Sequence, residues 1–96
     1  MKTEEVLSIL KLHQSEAENR YRVKILGIFG SFARRDASPE SDIDILVAFN
    51  DKADLFDLVG LSLFFEEKFG RKVDIVERDT LHALLRNQIL QEILYL

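Results

Sequence analysis

Apolar positions recur at helical spacing near the start of the chain, then alternate in three short stretches separated by further helical patterns. Val6, Leu10 and Ala17, with Leu7 beside them, predict an amphipathic helix from Thr3 to about residue 20. Glu4 and Glu5 fall where the positive end of its dipole favours acids. His13 lies on the same stripe and is expected to be packed or half-buried rather than a ligand. Val23 to Phe29 reads as a strand, followed by a short helix from Ser31 or Phe32. That helix stops before the turn Ala37-Ser38-Pro39-Glu40-Ser41, because Pro39 biases Ser38 away from helical angles. Ile43 to Phe49 reads as a second strand, closed by Asn50-Asp51-Lys52. A helix is expected from Asp54 to Phe69, with Gly70 as its C-cap. It is apolar over more than one face, so it is either pressed between the sheet and its neighbours or offers a partner surface. Lys72 to Val76 gives a third, β-branched strand. Asp79 or Thr80 can cap a last helix with Leu81, Leu85, Ile89 and Ile93 on one stripe, His82 being exposed early in it. The apolar end Leu94-Tyr95-Leu96 either packs on the domain or docks on another chain. Helices alternating with strands give an α/β class (α+β in some schemes), with helices packed on a small sheet. The hydrophobic pattern leaves strand order open.

Composition narrows the function classes. A chain of 96 residues predicts one small domain, 1–96, and 47% hydrophobic with 31% charged residues suits a folded core. No apolar run approaches the roughly 18–20 residues of a membrane helix, and the first residues lack a secretory apolar region. With no cysteine there is no disulfide framework or thiolate metal site, and a cytoplasmic protein is expected. A net charge of −4 argues against sequence-independent nucleic-acid binding. Of three basic pairs, Arg34 with Arg35 lies within the motif described next; Arg20 with Arg22 and Arg71 with Lys72 read as solvated surface.

The chemistry lies in Gly30-Ser31, a gap of ten residues, then Asp42-Ile43-Asp44. Glycine lets the chain turn tightly and a phosphate approach the backbone, while free N–H groups and the Ser31 hydroxyl supply donors. Neither a Walker ending nor a dinucleotide fingerprint is present, since Gly27-Ile28-Phe29-Gly30 has the wrong spacing. Strand alternation places Asp42 and Asp44 on one face, where two carboxylates repel unless a cation neutralises them. Mg²⁺ accepts one or two carboxylates together with substrate phosphates. If the third strand lies beside the second, Asp74 converges with them, a set suited to two-metal phosphoryl transfer.

Gly-Ser-x(10)-Asp-x-Asp with a later strand aspartate resembles the polymerase-β-like nucleotidyltransferase superfamily. The similarity is greatest to its minimal nucleotidyltransferase (MNT) branch, which includes MntA-type antitoxins paired with HEPN ribonuclease toxins. The resemblance covers nearly the whole chain and implies a mixed sheet of about three strands. It implies that Gly30 and Ser31 hold the β- and γ-phosphates of ATP with help from Arg34. It further implies that Asp42 and Asp44 bind two Mg²⁺ ions, and that Asp74 completes the catalytic metal site and helps activate an acceptor hydroxyl. Ser41 is expected to brace the turn. One departure is Arg35, where relatives commonly carry glycine. This leaves the local backbone, and which arginine faces phosphate, open.

The chain is close to the smallest that could present such a site, so the acceptor must come from elsewhere. The resemblance implies a HEPN partner whose tyrosine receives AMP from ATP. Alternatives are a module that neutralises its partner by contact, and transfer to a small-molecule hydroxyl. Homodimer and hetero-oligomer both remain open.

Overall fold

The computed structural model describes the backbone of residues 1–96 and every side chain except that of residue 84. Helix α1 spans Thr3–Tyr21 and buries Val6, Leu10 and Ala17, the stripe its periodicity predicts. Thr3 is its buried first residue rather than its cap; its hydroxyl donates to the Phe32 carbonyl at 2.6 Å, tying α1 to the short helix after the first strand. Strand β1 (Val23–Phe29) leads into α2 (Gly30–Arg34), and β2 (Ile43–Phe49) into α3 (Leu55–Phe69). Asp54 caps α3 by accepting from the Asp57 N–H at 3.1 Å, and Gly70 closes it. Strand β3 (Val73–Glu77) runs into a 3₁₀ turn, Arg78–Thr80. Asp79 and Thr80 belong to that turn, so neither caps the next helix; α4 covers Ala83–Glu92, begins after an exposed His82, and hands over to β4 (Leu94–Tyr95).

The sheet has four strands in the order β3-β2-β1-β4, one more than expected, because the apolar C-terminus packs on the domain by pairing with β1. A Cβ on Gly27 would overlap the Leu94 carbonyl, so glycine is what admits β4 at that edge. The β1–β2 and β1–β4 pairs are antiparallel, and β2–β3 is parallel, which makes the sheet mixed.

Helices α1 and α3 cover one face. Ile25, Ile28, Ile43, Ile45, Val47 and Val73 point into that layer against Leu10, Leu61 and Phe65. Each fully buried leucine or phenylalanine contributes on the order of 1.5–3 kcal/mol relative to exposure. His13 is half-buried there, edge-on to Phe64 with ring centroids 5.9 Å apart. The same helix α3 leaves Leu55, Phe56, Val59 and Leu63 exposed, so it packs through one face and bares another. On the opposite face of the sheet, Ile89 of α4 and Ile93 just beyond it pack over Leu46, with Leu81 beside them. Leu85, expected on that stripe, is 54% exposed.

A bulge decides which β1 residues reach which layer. The register slips between Ile25 and Gly27, so Leu26 has no partner of its own on β2. An inserted residue reverses the inward–outward alternation downstream. Ile28 therefore joins Ile25 in the α1–α3 layer, while Phe29 turns to the α4 side.

Candidate active site

On the α4 side of the sheet, Gly30, Ser31 and Arg34 from the β1–α2 junction face Asp44 of β2 and Asp74 of β3. Gln88 and Glu92 of α4 form the remaining polar wall of this cleft of about 500 Å³. Two features of the fold create it. Parallel pairing makes Asp44 and Asp74 register partners, and antiparallel pairing sets Phe29, the residue before Gly30, opposite Asp44.

Gly30 adopts φ +74°, in the left-handed region, and a Cβ there would overlap the Asp44 carboxylate. The turn is tight for both reasons, and only glycine meets them without strain. Arg35 also has positive φ, 66°, at the C-cap of α2. The backbone there takes the αL form that glycine adopts without penalty. The Arg35 side chain leaves the cleft and pairs with Glu4, whereas Arg34 lines it.

Burial, followed by the negative charges of Asp74 and then Asp42, pushes the Asp44 carboxyl up to about 6 from an ordinary 3.8; Arg34 pulls the other way. Asp42 sits one residue ahead of β2 and does not line the cleft, though its charge reaches Asp44. Asp74 is exposed and Asp44 half-buried. The donor set is all carboxylate oxygen with mutual repulsion to relieve, which suits a hard divalent cation. Among the described residues no three acidic or imidazole side chains already close around one point. Such a cation would therefore complete its shell with phosphate and water oxygens, as Mg²⁺ commonly does.

The turn that delivers Asp42 is braced. Ser41 Oγ accepts from the Ser38 N–H at 2.9 Å, the bracing role expected of it. Arg71 donates to the Ser41 carbonyl at 3.0 Å and lies over the Phe32 ring, 5.2 Å from its centroid. It is thus a structural clamp on the strand entrance, not the solvated surface residue its pairing with Lys72 suggested.

Glu92 was not legible as a site residue. It accepts from the Gly30 N–H at 2.9 Å and from Arg34 Nη1 at 3.1 Å, and Arg34 Nε reaches Asp36 at 3.3 Å. One signal was available. Glu92 is the last residue of α4, where the helix dipole disfavours an acid, and such a conflict calls for a compensating contact.

A mixed sheet with a glycine turn set against carboxylates on neighbouring strands is the frame of a nucleotide-transferring enzyme. Residues 10–96 match the family model for the nucleotidyltransferase domain, and the chain belongs to that family. It is a nucleotidyltransferase by fold and relationship. The protein adenylyltransferase MntA of Thermococcus cleftensis is 36% identical over 92 residues, covering 96% of this chain and 93% of the relative. A Methanocaldococcus jannaschii protein designated a protein adenylyltransferase is 33% identical over 98 residues, covering 100% of both chains. Among solved structures, one designated a minimal nucleotidyltransferase superposes with a TM-score of 0.86 at 35% identity, covering 100% of this chain and 97% of the other. A toxin–antitoxin structure with AMP-PNP shares the fold at a TM-score of 0.70 and 20% identity, covering 99% of this chain and 72% of that one.

Proposed function

We propose that this nucleotidyltransferase moves AMP from ATP onto a tyrosine hydroxyl of a HEPN-type toxin and thereby acts as its antitoxin, with residues 1–96 working as one catalytic domain. The observation that carries the reading is the pairing of Asp44 with Asp74 across from Gly30, Ser31 and Arg34 in one cleft. The relative named protein adenylyltransferase MntA, and the toxin–antitoxin structure that shares this fold, support the choice of a protein acceptor.

In this reading the Gly30 N–H and the Ser31 hydroxyl bind the β- and γ-phosphates, and Arg34 offsets their charge. Asp42, Asp44 and Asp74 would hold divalent cations, two Mg²⁺ being expected, which when bound would neutralise the carboxylates and supply positive charge for phosphoryl transfer. The tyrosine oxygen bonds to the α-phosphorus, the bond from that phosphorus to the α–β bridging oxygen breaks, and pyrophosphate leaves with the electron pair. Asp74, the exposed member of the carboxylate set, accepts the hydroxyl proton. No helix among the described residues is long and apolar enough to cross a membrane.

A contact-only antitoxin is favoured by one feature, the exposed apolar stripe Leu55, Phe56, Val59 and Leu63 on α3. Transfer of label from α-³²P-ATP with Mg²⁺ to a co-expressed HEPN partner separates the two. Catalytic silencing predicts label on the partner, none with the Asp42→Asn, Asp44→Asn double variant, and loss of protection in that variant. Label transferred by the double variant would refute the assigned carboxylates. Protection that survives without label would establish neutralisation by contact.

A further inference from the structure

The donors that the proposed function assigns to the triphosphate already hold an anion in the free protein, and it belongs to the chain itself. Glu92 Oε1 takes the Gly30 N–H at 2.9 Å, while both of its oxygens lie within reach of Arg34 Nη1, at 3.4 and 3.1 Å. The carboxylate is well shielded, with its side chain only 16% exposed. Its position is otherwise electrostatically unfavourable. It stands at the negative end of α4 and adds to the charge that raises Asp44. Only Gly30 and Arg34 supply it with donors among the described contacts.

The helix that carries Glu92 has few buried contacts along its own length, although β4 pairs with β1 just past its end. α4 meets the sheet through Ile89, with Ile93 just past its end, over Leu46, while Leu85 and Leu90 remain exposed. Elements with few buried apolar contacts open at lower free energy than the core.

We propose that Glu92 is a specificity-determining residue, an internal stand-in for the β- and γ-phosphates that a triphosphate must displace. This rests on the assignment of Gly30, Ser31 and Arg34 to phosphate. On loading, the Gly30 N–H and the Arg34 guanidinium pass from Glu92 to phosphate oxygens, and α4 loses its polar tie to the cleft while β4 stays paired with β1. A ligand with only an α-phosphate does not reach these donors and leaves Glu92 in place. The carboxylate therefore lowers triphosphate affinity and leaves monophosphate affinity untouched.

The test compares AMP-PNP and AMP, each with Mg²⁺, by calorimetric titration of the wild type, Glu92→Gln, Ser31→Ala and Arg34→Ala. Glu92→Gln keeps the shape and removes the charge. It should bind AMP-PNP about tenfold more tightly, the effect of losing one charge-assisted competitor, with AMP unchanged. An unchanged or weaker AMP-PNP affinity, or equal tightening of both nucleotides, overturns the proposal. Ser31→Ala and Arg34→Ala examine the underlying assignment separately. If neither weakens AMP-PNP, the phosphate reading itself fails; if both do while Glu92→Gln has no effect, only the present inference fails. Hydrogen exchange on the unaltered protein gives a readout independent of any variant. Amides of residues 88–92 should exchange faster with AMP-PNP bound, and slower or equal exchange contradicts the loosening of α4.

Discussion

Asp44→Asn removes one charge from the most crowded carboxylate in the protein, and the fold should gain from it while the chemistry is lost. Burial, then Asp74 and Asp42, place the Asp44 carboxyl at about 6 against 3.8. A raised value in the folded state means that the native protein holds this proton more tightly than the unfolded chain does. Between about pH 4 and pH 6 the folded form keeps a proton that the unfolded form has released, so stability falls as pH rises. The cost is absent below that window and complete above it. Over that interval a free carboxyl would cost about 3 kcal/mol at 1.36 kcal/mol per pH unit. Asp44 is only half-buried, and solvent screening reduces this to about 1 kcal/mol. Asparagine carries no such cost. At pH 8 in EDTA, Asp44→Asn should melt about 4–8 °C above the wild type, the shift expected of 1 kcal/mol in a chain of this size. The gap should close towards pH 4. Millimolar Mg²⁺ should raise the wild-type melting temperature and leave the variant unmoved, since a ligand that binds only the native state stabilises it. Differential scanning calorimetry across pH 4–8 measures all of this. A variant less stable than the wild type at pH 8, or a gap that ignores pH, would refute the claim that Asp44 is held in a repulsive, desolvated setting.

Two backbone substitutions examine the loop that faces it. Gly30→Ala places a methyl group against the Asp44 carboxylate at φ +74°, so it should cost about 1–2 kcal/mol of stability and abolish nucleotide binding; thermal melts and titration with AMP-PNP check both. Arg35→Gly should do the reverse. It relieves a left-handed residue at φ 66° by about 1 kcal/mol and forfeits only an exposed pair with Glu4, so a modest rise in melting temperature is expected and a fall would contradict it.

Sequence by itself determined whatever has a local period or a local conformational demand. The alternation in Ile43–Phe49 marked β2 and put Asp44 on the face opposite Ile43 and Ile45, because a pleated strand turns its side chains over at every step. The stripe of α1, the start of α3 near Asp54 with its Gly70 cap, and the turn at Gly30 were legible for the same reason. Tertiary structure decided what depends on chain segments far apart. Only the parallel β2–β3 pairing sets Asp74 beside Asp44, and nothing in either strand names its neighbour. The unpaired Leu26 sends Ile28 to one layer and Phe29 to the other, a choice that the run Ile25-Leu26-Gly27-Ile28-Phe29 does not declare. Arg71 clamps Ser41 across 30 positions, and Glu92 reaches Gly30 across 62. Such contacts form because burial on both faces of the sheet, summed over the whole chain, selects one packing of α4 and the C-terminus. That choice sets the Glu92 carboxylate against the Gly30 N–H and the Arg34 guanidinium.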